Sequence, residues 1–330
     1  EETPARFVTH TTNYWKSWSH RSDRLIEDLP KEIVQLTTRS LQVVRLHCDN
    51  NGGILAAADN DIMMFNRDTY TYVWPRDGAF VAMAMTRAGF PELARRFFDF
   101  CRRVQSPDGY LLQKFNPDGS LGSSWHPWYQ HGEPQLPIQE DETALVLCAL
   151  GDYVNRTQDI ELVQTLFPTF IRKAAQFLCD YRDDESGLPL PSYDPWEEHR
   201  GIFSYTVATV IAGLQAAAQI AQLLGHHSSS ERFHNVADEI RQALIFHLYD
   251  ESSGRFLKGL LPTDDHKLVR DATVDASIIA LWKLGLLPAD DPRMLSTMLA
   301  VEQALTIPSG IGGLARYTND RYHAAVGSDV

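Results

Sequence analysis

The chain has 330 residues, of which 43 are acidic and 30 basic, for a net charge of −13 at pH 7. That balance argues against nucleic acid or another polyanion as partner, because phosphate recognition uses a basic surface. Hydrophobic residues at 44% and aromatics at 10% exclude a disordered chain, and the length allows one large domain or two ordinary ones.

In chain order, the apolar periodicity predicts a predominantly helical protein with long polar loops. EETPARFVTH at the start has no basic-then-apolar signal segment. Lys31 to Leu46, with apolar residues at 33, 34, 41 and 44, reads as a one-faced helix. Gly78 to Arg87 and Pro91 to Val104 predict a helical hairpin split at Gly89-Phe90-Pro91. Gly109 to Gln113 has the alternation of a short hairpin arm. Asp141 to Val154 begins with an acid suited to capping, and Ile160 to Tyr181 predicts one further helix. Tyr205 to Leu224 is apolar around nearly its whole circumference, so it reads as a buried inner helix; Gln215, Gln219 and Gln222 disfavour a membrane span. The charged Ser229 to Leu248 reads as its outer, amphipathic neighbour, which suggests two concentric helical layers. Arg255 to Leu257 is a second candidate hairpin arm, and Asp271 to Leu284 and Pro292 to Leu305 are the last expected helices. Cys101, Cys148 and Cys179 fall inside helical apolar patterns, and with Cys48 they form no CxxC pair. Free thiols in a reducing, cytoplasmic setting are expected rather than a disulfide framework. No run of about 18 apolar residues is present to span a membrane.

Chemistry concentrates in the loops. LPSYDPWEEHRG, from Leu190 to Gly201, sets the adjacent carboxylates Glu197 and Glu198 after Trp196 in a Pro-containing loop. An aromatic beside acids suits a sugar: the ring covers the apolar face of a pyranose while carboxylates serve its hydroxyls and glycosidic oxygen. A bare Glu-Glu pair is usually a solvated loop, and only the surrounding Tyr193, Asp194, Trp196 and Arg200 raise it above that. Tyr70 to Asp77, reading YTYVWPRD, has the same character. Its Arg76-Asp77 is either a structural ion pair at a helix start, with Asp capping free N–H groups, or a pair of hydroxyl ligands beside Trp74 and Tyr70. Asp141 is more simply an N-cap than a ligand. Trp125 and Trp128 are loop anchors or further platforms. From Asp77 through Asp141 and Glu197 to Asp275 the steps are 64, 56 and 78 residues, about one helical hairpin plus loops each. In a closed ring of hairpins, four such acidic clusters would gather at one mouth. The histidines show no metal-ligand spacing, Ser309 to Gly313 lacks the dinucleotide and phosphate-loop patterns, and no GxSxG elbow occurs. No metal or cofactor is expected.

Four segments resemble glycoside hydrolase family 15, the glucoamylase family, and its bacterial members above all. They are Asn66 to Gly78, Pro137 to Glu142, Ser192 to Glu198 and Gly312 to Tyr317, in the family's order. The resemblance implies an (α/α)6 toroid and inverting, exo-acting hydrolysis of α-glucosidic bonds in an α-glucan or α-linked gluco-oligosaccharide. It implies Glu197 as general acid and Tyr70, Trp74, Arg76, Asp77, Asp141, Trp196, Glu198 and Arg316 as substrate contacts. The family's general base lies downstream of the Arg-Tyr motif, beyond Val330. The expectation is therefore a single catalytic domain over residues 1–330, incomplete at its C-terminal side, without the N-terminal β-sandwich of many bacterial members, and poorly active by itself. A carbohydrate-binding or regulatory homologue on the same fold is the rival; a toroid epimerase or lyase is disfavoured because only His199 accompanies the motifs.

Overall fold

The computed structural model describes residues 3–22, 28–58, 70–130, 132–263, 265, 267–308, 310 and 312–322. Asn66 to Thr69 of the first motif, with Ser309 and Ile311 of the glycine-rich segment, lie outside the described residues. The chain forms two compact units: residues 1–104, 114–123 and 152–163, and residues 105–113, 124–151 and 164–330.

In the first unit, α1 (Pro4–Ser19) and α2 (Lys31–His47) precede a hairpin of α3 (Pro75–Arg87) and α4 (Pro91–Val104). Trp18 anchors α1 by stacking on Phe90 at 4.1 Å between centroids. The apolar period of α4 buries Leu93, Ala94, Phe97, Phe98, Phe100 and Cys101, the stripe a core-facing helix requires. The residue after Arg76-Asp77 must be small: a Cβ on Gly78 would meet the Phe97 ring at 2.2 Å. Gly78 therefore lets the helix carrying Arg76 and Asp77 press directly onto α4. The predicted break at Gly89 is present, with φ +88° in the left-handed region.

The second unit contains most of the remaining elements. A small hairpin, β1 (Tyr129–Gln130) with β2 (Glu133–Pro134), leads to α5 (Glu140–Thr157) and α6 (Ile160–Leu166), of which residues 152–163 belong to the first unit. The expected single helix from 160 to 181 is interrupted. A five-residue π-turn, Phe167–Ile171, separates α6 from α7 (Arg172–Asp180), because Pro168 has no N–H to continue the ladder. The amide of Gln105 donates to the Phe170 carbonyl at 3.2 Å.

The all-apolar segment is α8 (Ser204–Leu223), and it packs along α9 (His227–Leu248). By length and composition α8 could cross a membrane, but 72% of its most apolar window is buried inside the unit, which identifies a core helix. Gly213 makes this possible against α5, since a Cβ there would lie 2.7 Å from the Ala144 carbonyl oxygen.

Four short strands form one antiparallel sheet in the order β3 (Ser192–Tyr193), β4 (Arg200–Phe203), β7 (Gly259–Pro262) and β8 (Leu268–Asp271). The hairpin of β5 (Tyr249–Asp250) and β6 (Arg255–Phe256) matches the second expected arm. The first does not form: residues 105–113 contain no strand, because Ser106 closes a turn on Gly109 instead. The expected helix from Asp271 also fails. Asp271 ends β8 opposite Gly259, and helical structure starts only at Ala276, where Asp275 accepts from the Ser277 N–H. A short 3₁₀ turn then leads to α10 (Ala280–Lys283), followed by α11 (Pro292–Leu305), capped by Asp291. All four cysteines are free thiols, and burial pushes those of Cys148 and Cys179 up to about 12.

Candidate active site

The Trp-Glu-Glu segment is the tip of the β3–β4 hairpin, closed by Ser192 opposite Gly201 and Tyr193 opposite Arg200. Asp194 organises the tip. Its N–H donates to the His199 carbonyl at 2.9 Å, and its carbonyl accepts from the Glu197 N–H at 2.9 Å. Oδ1 accepts from the backbone N–H groups of Glu198 at 2.8 Å and His199 at 3.1 Å. The turn forces Glu197 to φ +65°, a left-handed conformation rare for a side chain without hydrogen-bonding reach to its own backbone. Such strain is tolerated where surrounding bonds over-determine the geometry.

Beneath the tip lies a buried ionic triad. Lys258 Nζ is 3.2 Å from Asp194 Oδ2 and 3.6 Å from Asp275 Oδ2. Both aspartates are completely buried and the lysine is 4% exposed. Trp196 Nε1 donates to Asp275 Oδ2 at 2.8 Å, so the loop's tryptophan is fastened to the same triad. The ammonium also faces the Tyr317 ring at 4.6 Å.

The two glutamates have different surroundings. Glu197 Oε2 accepts from Gln113 Nε2 at 2.8 Å. Glu198 is held by Arg316 Nη2 at 3.2 Å on Oε1 and by the Tyr317 hydroxyl on Oε2. Arg316 is itself paired through two nitrogens with Asp320, at 2.6 and 2.7 Å, and lies 5.0 Å over the Trp196 ring. The Asp320 bond pushes the Arg316 pKa up, and Arg316 in turn holds the Asp320 carboxyl below its usual range. Burial, then the bond to Glu198, raises the Tyr317 phenol. Both oxygens of Glu198 thus accept from fixed donors, one of them a guanidinium. A cavity of about 560 Å³ adjoins them, lined by Glu198, His199, Lys258, Tyr317, Arg321 and Tyr322 among others.

The start of α5 packs against this loop from within. Gln139 Nε2 donates to the Asp194 carbonyl at 2.7 Å, and the Tyr193 N–H donates to the Ile138 carbonyl at 3.0 Å. Glu140, Asp141 and Glu142 are all 1% exposed or less. Burial, reinforced by the Asp141 charge, pushes the Glu140 carboxyl well above its usual range despite its neighbour Ser192. Burial and Glu140 together raise the Tyr181 phenol to about 12. Asp141 occupies the second position of α5 and has no exposed surface.

Tyr70, Trp74, Arg76 and Asp77 belong to the first unit. Trp74 is the N-cap residue of α3, and no side chain caps this helix, so Asp77 in its first turn is not a cap. Arg76 Nε lies 3.5 Å from Asp77 Oδ2, with Asp77 the more exposed of the two. Tyr70 stacks on Trp74 at 5.9 Å, and Lys114 Nζ lies 4.7 Å from the Tyr72 ring and 5.0 Å from the Trp74 ring. Trp74 is only 2% exposed against 39% for Tyr70, so the accessible aromatic surface of this motif is Tyr70.

Three of the four acidic clusters, those of residues 139–142, 194–198 and 271–275, therefore meet within the second unit, joined by Gln139, Trp196 and Lys258. The fourth, at Arg76-Asp77, is carried by the first unit. Gln113 and Lys258 are the residues sequence reading missed. Lys258 is a single polar residue in an apolar flank, Gln113 sits beside Lys114 after two leucines, and the partners of both are remote in sequence. Among the described residues no group of three or more His, Cys, Asp or Glu could hold a metal ion.

This helical architecture, with a carboxylate-bearing loop fastened by buried charge, has the fold of the (α/α)6-toroid glycosidases. It superposes with a TM-score of 0.76 on a bacterial glucoamylase crystallised with acarbose, at 20% identity over 97% of this chain and 46% of the other. The chain belongs to the glycosyl hydrolases family 15, whose profile matches residues 34–329. It is 30% identical to an uncharacterized glycosyl hydrolase of Methanocaldococcus jannaschii, over 94% of this chain and 46% of the relative. It is 25% identical to Trehalase 2 of Sulfolobus acidocaldarius, over 86% and 49% respectively. The chain thus spans about half the length of these relatives.

Proposed function

We propose that the protein hydrolyses α-glucosidic bonds at the non-reducing end of α-linked gluco-oligosaccharides, with inversion, and that Glu197 is the general acid. The observation that carries this reading is the contrast between two adjacent carboxyls. Glu198 has its two oxygens engaged by the Arg316 guanidinium and the Tyr317 hydroxyl, whereas Glu197 Oε2 accepts from the neutral amide of Gln113. A general acid needs one oxygen oriented by a fixed donor and the other directed at the leaving group. In this reading Glu197 protonates the glycosidic oxygen while Glu198, Arg316 and Tyr317 hold the departing sugar. In the first unit Arg76, Asp77 and Tyr70 are candidate sugar contacts by family resemblance, and in the second Asp141 and Trp196 support the loop. An inverting mechanism also needs a second carboxylate roughly 6.5–9.5 Å from the acid to activate water, and no described carboxylate is assigned that role. The trehalase and glucoamylase names among its relatives leave both α,α-1,1 and α-1,4 linkages in the proposal.

The test compares full-length protein with its Glu197→Gln variant on maltose, isomaltose, trehalose and maltotriose, following the anomer released by NMR. One disaccharide is expected to be cleaved to β-glucose first, and the variant to lose about 10²–10⁴-fold in kcat. A variant as active as wild type, or release of the non-reducing-end glucose as the α-anomer (from trehalose, two α-glucose molecules in place of one α and one β), overturns the proposal. Intact protein that binds maltose without cleaving any of the four sugars would establish the binding-module rival instead.

A further inference from the structure

We infer that Gln113 is the positioning residue of the general acid: it fixes which oxygen of Glu197 carries the transferable proton and stabilises the carboxylate left behind. This rests on the assignment of Glu197 as the acid. Gln113 is 1% exposed, and its segment is anchored to α5 by the Leu111 N–H, which donates to Thr143 Oγ1 at 2.8 Å.

The orientation of its amide follows from the partners at its other end. Oε1 accepts from the Trp125 backbone N–H at 3.3 Å and from the Ser124 hydroxyl at 3.3 Å. A backbone N–H can only donate, so the group facing it must be the carbonyl oxygen, and Nε2 must face Glu197. Ser124 is itself held, its Oγ accepting from the His126 N–H at 3.1 Å. The His126 ring stacks on Tyr193 at 3.6 Å, which returns the network to the strand that launches the loop.

An amide N–H cannot donate to an oxygen that presents its own proton to it. Glu197 Oε2 is therefore the acceptor in both protonation states, and the acidic proton resides on Oε1. As that proton passes to the glycosidic oxygen, the carboxyl becomes an anion and the Gln113 bond becomes charge-assisted, roughly twice as strong as before. The interaction is stronger after transfer than before, the condition for it to lower the barrier rather than merely tighten binding.

The test uses Gln113→Met, which removes the donor at similar length, and Gln113→Glu, which is isosteric and sets a second carboxyl against Oε2. Both are made in the full-length enzyme, and kcat/KM is followed against pH. Losing a donor to the ionised form raises the acid's pKa, so the basic limb for Gln113→Met is expected to move up by about one pH unit, with kcat about 10-fold lower and KM within 2-fold. Gln113→Glu should move the limb further, because two carboxyls then share one proton. A merely structural role would lower kcat without moving the limb, and that result overturns the inference. If Gln113→Met does not fold, the limb of Gln113→Glu decides. Glu197→Gln in parallel separates the two claims: an inactive Glu197→Gln with an unmoved limb in the Gln113 variants refutes only the positioning role, whereas an active Glu197→Gln refutes the acid assignment beneath it.

Discussion

Replacing Lys258 by Met would keep most of the buried stem and delete the charge. It leaves two aspartates, each completely buried, facing one another without the ammonium that now lies 3.2 and 3.6 Å away. Removing one member of a buried ionic cluster costs about 3–5 kcal/mol, because the remaining charge is uncompensated. Here the low end applies. Asp194 keeps two backbone N–H donors, and Asp275 keeps the Ser277 N–H and the Trp196 indole. An unfolding entropy of about 2.1 cal/mol/K per residue makes 3 kcal/mol equal to roughly a 4 °C fall in Tm for a cooperative unit of this size. Thermal unfolding of Lys258→Met at pH 7 measures it. Adding Asp194→Asn should restore part of the loss, since a neutral amide can occupy the same place without the charge. A Lys258→Met protein that melts within 1 °C of wild type would refute the claim that this triad holds the Trp-Glu-Glu loop.

Two further outcomes follow from neighbouring groups. Glu140 is raised by burial and by Asp141 above its ordinary value of 4.5, so the folded state binds more protons than the unfolded state above that pH. Its contribution is fully present at more acid pH and is lost as pH rises toward the folded-state value. The stability advantage of Glu140→Gln over wild type should therefore widen by up to about 1.4 kcal/mol per pH unit from pH 5 upward, and an equal gap at pH 5 and 7 by urea unfolding would refute it. Glu197→Gly and Glu197→Ala both lack the carboxyl and differ in the cost of φ +65°. The glycine variant is expected to be more stable by about 1 kcal/mol, and identical denaturation midpoints would show the backbone there to be unstrained.

The helices that the sequence makes legible are those with an uninterrupted apolar period: α2, α3, α4, α5, α8, α9 and α11. The four-stranded sheet escapes such a reading for a physical reason. Its strands are two to four residues long, and Gly201 and Gly259 sit at its closest approaches, where a Cβ would lie 2.6 Å from the Leu260 oxygen and 2.4 Å from the Ile202 oxygen. A strand defined by missing side chains has no alternation to detect. The Trp-Glu-Glu loop is legible because its residue types are improbable together on an inert surface. Its supports are not: Gln113 is 84 positions from Glu197, and no local pattern joins them. Asp275 appears in the sequence as a helix-start acid, which it is, but its bond to Trp196 exists only in three dimensions.

The way Asp194 fastens the hairpin tip bears on how such a protein diverges. The bonds that locate Glu197 run through main-chain atoms, a buried amide and a buried triad, none of which needs to change when the outward residues do. Glu198, His199, Arg321 and Tyr322 line the adjoining cavity from positions that those bonds do not use through their side chains. Substitutions there can reshape the cavity while the Glu197 carboxyl stays where it was. The scaffold therefore divides inheritance into a fixed part and a variable part, and drift in the cavity lining need not pass through an intermediate in which Glu197 has lost its place.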